Sequence, residues 1–177
     1  MKRLVYLALL LLVLPAACSP EPVRIINDFE TESDLDRLTW RCPYWIERTD
    51  DFIAVGRYGL MVEMPAGIYP TLELWNIPEN WSRYARLEFD VWGPGLAGRE
   101  LFVRIDDQGS SERFIDRFEA IVVLTGERQQ VQLPLTRVRN GNGGRLLDLS
   151  RMERVLFYFK SADERITLYL DGVRLTR

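Results

Sequence analysis

Ten short apolar or alternating segments, with Gly, Pro and Asn between them, constrain this chain to one broad class of fold. They are "VRIINDFE" (23–30), "TWRCPYWIER" (39–48), "YGLMVEM" (58–64), "YPTLELW" (69–75), "ARLEFDVW" (85–92), "ELFVRIDD" (100–107), "RFIDRFEAIVVL" (113–124), "RQQVQLPL" (128–135), "VLFYFK" (155–160) and "RITLYLDGVRL" (165–175). Extended chain points successive side chains to opposite faces, so such segments make strands with one face for a core. Only "ESDLDRL" and "LDLSRMER" carry helical spacing, each for a turn or two. The expected fold is all-β, a two-sheet antiparallel β-sandwich over residues 23–177, with no linker, repeat or low-complexity stretch dividing it.

Period-two parity then sorts the side chains. Leu87, Phe89 and Val91 are expected in the core with Glu88, Asp90 and Trp92 outside; Leu72 and Leu74 inside with Tyr69, Thr71, Glu73 and Trp75 outside. Val103 and Ile105 are inward with Phe102, Arg104 and Asp106 outward, and Val155, Phe157 and Phe159 inward with Leu156 and Tyr158 outward. Trp40, Trp45 and Trp81 are expected in core or hairpin packing. The outer set mixes aromatic planes (Tyr69, Trp75, Trp92, Tyr158) with planar charged groups (Glu73, Glu88, Asp90, Arg104, Asp106, Arg117), which is the chemistry that binds sugar rings and their hydroxyls. For each of these residues the competing reading is an ordinary polar sheet surface with cross-strand Glu–Arg pairs. If the face binds a glycan, substitutions such as Arg104→Ala, Asp106→Ala or Tyr158→Ala are expected to weaken binding at a stability cost under about 0.5 kcal/mol.

The first residues, "MKRLVYLALLLLVLPAACSP", place two positive charges before an apolar run from Leu4 to Leu14, then small residues. This is the pattern of an export signal over residues 1–17, and its eleven apolar residues fall short of the roughly 20 that cross a bilayer. "LPAAC" resembles the lipobox of bacterial lipoproteins, although Pro15 stands where that pattern prefers Leu and Leu14 lies one place further out. The resemblance implies lipidation at Cys18, a short tether over 18–22, and attachment to a membrane of the cell envelope. The alternative for the chain's two cysteines is a Cys18–Cys42 disulfide in an unlipidated exported protein.

Composition removes several kinds of chemistry. The chain has no histidine, which excludes Ser-His-Asp and Cys-His catalysis, His-bound zinc and an imidazole base. Of its 23 basic residues, removing Lys2 and Arg3 leaves 21 against 26 acidic ones, with Lys160 the one remaining lysine. That balance, and the lack of a basic run, gives no reason to expect nucleic acid. "RNGNGGR" (139–145) lacks the strand-to-helix setting of a phosphate loop and reads as a connection. Paired carboxylates could in principle cleave a glycan, yet no catalytic module accompanies the strands. One residue stands apart: Asp171 sits in "ITLYLDGV", where an unpaired buried charge would cost several kcal/mol.

"DFE" followed by a Trp, "GRYGLMVEM", "YPTLEL", "NWSRYARLEFDVW", "VRIDD", "VQLPL" and "LYLDGVRL", in that order, resemble the galactose-binding-like jelly roll. Within it, the chain is similar to family eleven carbohydrate-binding modules and the complex I intermediate-associated protein domain, from Phe29 to Leu175. The resemblance implies a structural calcium ion held between Glu30 and Asp171, in keeping with that ion's taste for oxygen ligands. The alternative for Asp171 is a set of backbone donors or an arginine such as Arg24 or Arg174. The functional expectation is a non-catalytic, envelope-anchored module for carbohydrate, with a scaffold for a protein partner as the alternative.

Overall fold

The computed structural model describes residues 23–40 and 45–177 of the chain, and of Trp40 the backbone alone. The leader, Cys18 and Cys42 lie outside the described residues, and with them the lipidation and disulfide expectations. In chain order the strands are β1 (Val23–Asn27), β2 (Leu38–Trp40), β3 (Trp45–Thr49), β4 (Gly59–Met64), β5 (Gly67–Ile68), β6 (Thr71–Leu74) and β7 (Arg86–Trp92). They continue as β8 (Glu100–Asp107), β9 (Phe118–Val123), β10 (Gln129–Pro134), β11 (Met152–Tyr158), β12 (Ser161–Ala162) and β13 (Ile166–Thr176). Two short helices, α1 (Glu32–Leu35) and α2 (Leu135–Asn140), and a 3-10 turn at Phe114–Asp116 complete the chain.

The strands form two antiparallel sheets. The first runs β10-β7-β13-β4-β3, with β1 beside the last residues of β13; the second runs β2-β6-β11-β8-β9; β5 and β12 pair separately. Strands adjacent in sequence often fall in opposite sheets, as β2 and β3 or β9 and β10 do, so the chain wraps repeatedly around one core. Leu60, Val62, Leu87, Phe89, Val91, Leu168 and Leu170 of the first sheet face Leu72, Leu74, Val103, Ile105, Val155 and Phe157 of the second, and all are essentially inaccessible. Phe89 and Phe157 meet edge to face at 5.1 Å and 80°, locking the sheets together.

The inward set follows the expected parity, and Trp81 is fully buried with its indole N–H on the Pro78 carbonyl. Two expectations change. Trp45 is 59% exposed on the outer face of β3, where its indole N–H donates to Glu47. "LDLSRMER" forms no helix: residues 148–151 turn, and Met152 opens β11 because Met152, Val155 and Phe157 all reach the core from strand geometry. The helix lies instead at α2, where Leu135 and Val138 share a buried face.

β13 has a bulge that decides the surroundings of Asp171. Ile166, Leu168 and Leu170 point inward before it and Val173 and Leu175 after it, so the parity changes across Asp171 and Gly172. Gly172 takes φ 57°, which suits glycine, and the bulge absorbs the extra residue. At the same point the neighbour of β13 changes from β4 to β1, opening a gap in the ladder.

Candidate functional site

The strand registers bring most of the expected outer residues together on the second sheet. Arg104 of β8 lies between Leu156 of β11 and Glu119 of β9, Phe102 between Tyr158 and Ile121, and Glu73 of β6 beside Leu156. Above them lies an open groove of about 460 Å³, walled by the β5–β6 turn with Tyr69 and by the 3-10 turn with Glu112, Phe114 and Arg117. Tyr69 and Phe114 are 55% and 53% exposed, so each offers aromatic surface to the groove, with Arg117 against the Phe114 ring at 5.9 Å.

Beneath these planes the charged groups are mutually tied. The Arg104 guanidinium straddles Asp106, with Nε at 2.9 Å and Nη2 at 2.8 Å, and reaches Glu112 at 3.1 Å. Arg154 joins Asp106 at 2.8 Å to Glu73 at 3.2 Å. Arg117 donates to the Glu112 carbonyl and to Glu119, which also accepts the Tyr158 hydroxyl. Burial, reinforced by Glu119, pushes the Tyr158 phenol well above its ordinary value of 10, keeping it a donor. Phe102 stacks on Tyr158 at 5.3 Å and 27°.

This network revises the expectation that Arg104, Asp106 and Tyr158 are surface residues of low cost, since all three are buried and hydrogen-bonded. Asp106 has no exposed surface and serves two arginines, so its removal strands buried charge at a cost of about 3–5 kcal/mol rather than a surface increment. The exposed aromatics Tyr69 and Phe114 are the residues whose loss would leave the sheet intact.

Parity assigns these residues to the outside without saying which sheet they face from; the structure divides them between the two. Tyr69, Glu73, Arg104, Asp106, Arg117 and Tyr158 lie on the second sheet's outer side, while Glu88 and Asp90 lie on the first sheet's. There Arg174 holds Glu88 at 3.2 Å and Asp90 at 3.4 Å, and Thr176 donates to Glu88. Trp92 shares that side, buried under Phe52 at 5.9 Å. Trp75 is half-exposed just past β6 and does not line the groove. Conversely Glu112, Phe114, Glu119 and Lys160 line it without having been singled out. The alternation of Phe118, Glu119 and Ala120 would have found Glu119, but the turn residues depend on how 111–117 folds over the sheet.

Asp171 meets backbone donors. Its Oδ2 accepts the N–H groups of Ala54 and Val55 at 2.7 and 2.9 Å, and its Oδ1 that of Gly172 at 2.6 Å. Burial raises the Asp171 carboxyl above its ordinary 3.8, the three N–H groups oppose that, and neighbouring Asp90 adds to it. Glu30 receives Arg57 and Tyr58 N–H at 2.7 and 3.0 Å; these hold its carboxyl below 4.5. Residues 54–58 are thus pinned at both ends by carboxylates. Both Asp171 oxygens and Glu30 Oε1 face N–H groups, which present positive hydrogens where a calcium ion would need oxygens. Among the described residues no group of three or more acidic, His or Cys side chains gathers at one point.

No family model and no curated protein matches the sequence. Solved structures do match. A family 11 carbohydrate-binding module of a cellulosomal cellulase from Clostridium thermocellum superposes with TM-score 0.65 at 13% identity, over 89% of this chain and 96% of that one. A family 30 module of another cellulosomal cellulase from that organism gives 0.55 at 21% identity, over 74% and 81%. An exo-β-agarase gives 0.65 at 18% identity over 86% of this chain, which spans only 24% of that enzyme. The chain shares the two-sheet antiparallel jelly-roll fold of these modules.

Proposed function

We propose that this protein is a non-catalytic glycan-binding module, exported and held in the cell envelope by lipid on Cys18. The observation that carries the reading is the groove on the second sheet, where the exposed planes of Tyr69 and Phe114 flank a fixed lattice of arginines and carboxylates. Aromatic planes take the apolar face of a sugar ring, and planar charged groups already held in place hydrogen-bond its hydroxyls without paying to be ordered. A family 11 module from Clostridium thermocellum, similar in fold with TM-score 0.64 and 13% identity over 87% of this chain and 95% of that one, was solved with a β-1,3-1,4-mixed-linked tetrasaccharide.

Affinity electrophoresis through gels containing soluble polysaccharides tests the reading. Tyr69→Ala and Phe114→Ala should each weaken retention about tenfold or more, within the roughly 1–3 kcal/mol of a lost stacking partner, while shifting the melting temperature by under about 2 °C. If no polysaccharide retards the wild-type protein, the glycan reading fails and the groove belongs to a protein partner.

A further inference from the structure

Lys160 is the one lysine beyond Lys2, and it lies two residues past the end of β11, lining the groove. Its carbonyl accepts the Tyr69 N–H at 3.2 Å, and the pairing of β5 with β12 holds the two segments side by side. Tyr69 keeps φ at 54°, a conformation costly for a non-glycine residue, and that bend directs its ring toward Tyr158 at 6.1 Å. The Lys160 ammonium lies 4.4 Å from the centre of the Phe102 ring, which stacks in turn on Tyr158. A cation therefore stands at one end of a continuous aromatic row.

The other cations of the groove are already engaged. Arg104 is neutralised by Asp106 and Glu112, Arg154 by Asp106 and Glu73, and Arg117 by Glu119. The carboxylates are engaged as well: Glu112 turns to Arg104 and Arg154, and Glu119 to Arg117 and Tyr158. Lys160 has no carboxylate partner among the described residues; its ammonium rests on the Phe102 ring, and the residue is exposed where it lines the groove.

Resting on the glycan reading above, we infer that the ligand is an acidic polysaccharide, with Lys160 receiving the carboxylate or sulfate of a sugar stacked on the exposed ring of Tyr69. A pyranose lying on an aromatic plane projects its substituents from the rim of the ring. In a uronic acid or a sulfated hexose one of these is an anion, and the end of the aromatic row is where it meets a cation. The chain as a whole is negative, so it has no general attraction for polyanions, and a preference for them would have to come from a local cation.

Calorimetric titration at low ionic strength separates the two sources of charge by using matched polymers: polygalacturonate against its carboxyl-reduced form, and κ-carrageenan against its desulfated form. Mixed-linkage β-glucan serves as a further neutral probe. The acidic member of at least one pair should bind about fivefold more tightly than its neutral twin, the upper range for a part-exposed ion pair. The pair that responds identifies carboxylate or sulfate as the anion. Lys160→Met should erase the preference, Lys160→Arg should restore it, and Arg165→Met on the opposite sheet should not alter it. Twins that bind equally, or a preference that survives Lys160→Met, overturn this inference and leave the glycan reading standing. If no polymer binds the wild-type protein, both fall.

Discussion

Asp171 has no exposed surface, and three backbone N–H groups are what make its position tenable. A carboxylate is the side chain best able to serve three donors at once, because both of its oxygens accept. Asparagine keeps the shape but turns one oxygen into a donor, so Asp171→Asn should set N–H against N–H and cost about 1–3 kcal/mol. In a domain of this size that is a fall in melting temperature of roughly 5 °C, measurable by thermal denaturation. The same scan in millimolar calcium and in chelator should give one melting temperature. A rise with calcium would show that the N–H groups yield to a metal, restoring the ion expected between Glu30 and Asp171.

At the scale of the strand, β13 must serve two partners whose registers differ by one residue, and the bulge at Gly172 makes that possible. Without it Val173 and Leu175 would face water and Arg174 the core, since a one-residue slip exchanges the faces of a strand. A β-carbon at Gly172 would lie 2.8 Å from the Arg174 guanidinium and would have to hold φ at 57°. Gly172→Ala should therefore cost about 1–2 kcal/mol from the backbone alone, with a further loss as Arg174 is pushed from Asp90. Gly95 isolates the backbone share, because its φ is 75° and a β-carbon there would meet nothing within 4 Å. Gly95→Ala should accordingly be the milder change in a urea titration. Equal losses at the two sites would remove crowding from the account.

For the whole molecule, the question is where it works. The reading of residues 1–17 as an export signal with Cys18 lipidated predicts that a palmitate analogue labels the protein in cells and that Cys18→Ala abolishes both the label and recovery with membranes. Label that persists in the variant would end the lipoprotein reading. What the sequence alone could determine is whatever depends on near neighbours along the chain or on composition: strand alternation placed Leu87, Phe89, Val103 and Phe157 in the core, and the absence of histidine excluded chemistry that needs an imidazole. Alternation says only inside or outside, so Glu88 and Arg104 looked equivalent although they lie on opposite sides of the sandwich. Sheet membership is decided by which strands pair across long stretches of chain, and so are the groove's walls and the donors that reach Asp171 from 117 residues away. Such contacts depend on the packing of the whole core, and no local pattern of residues encodes them.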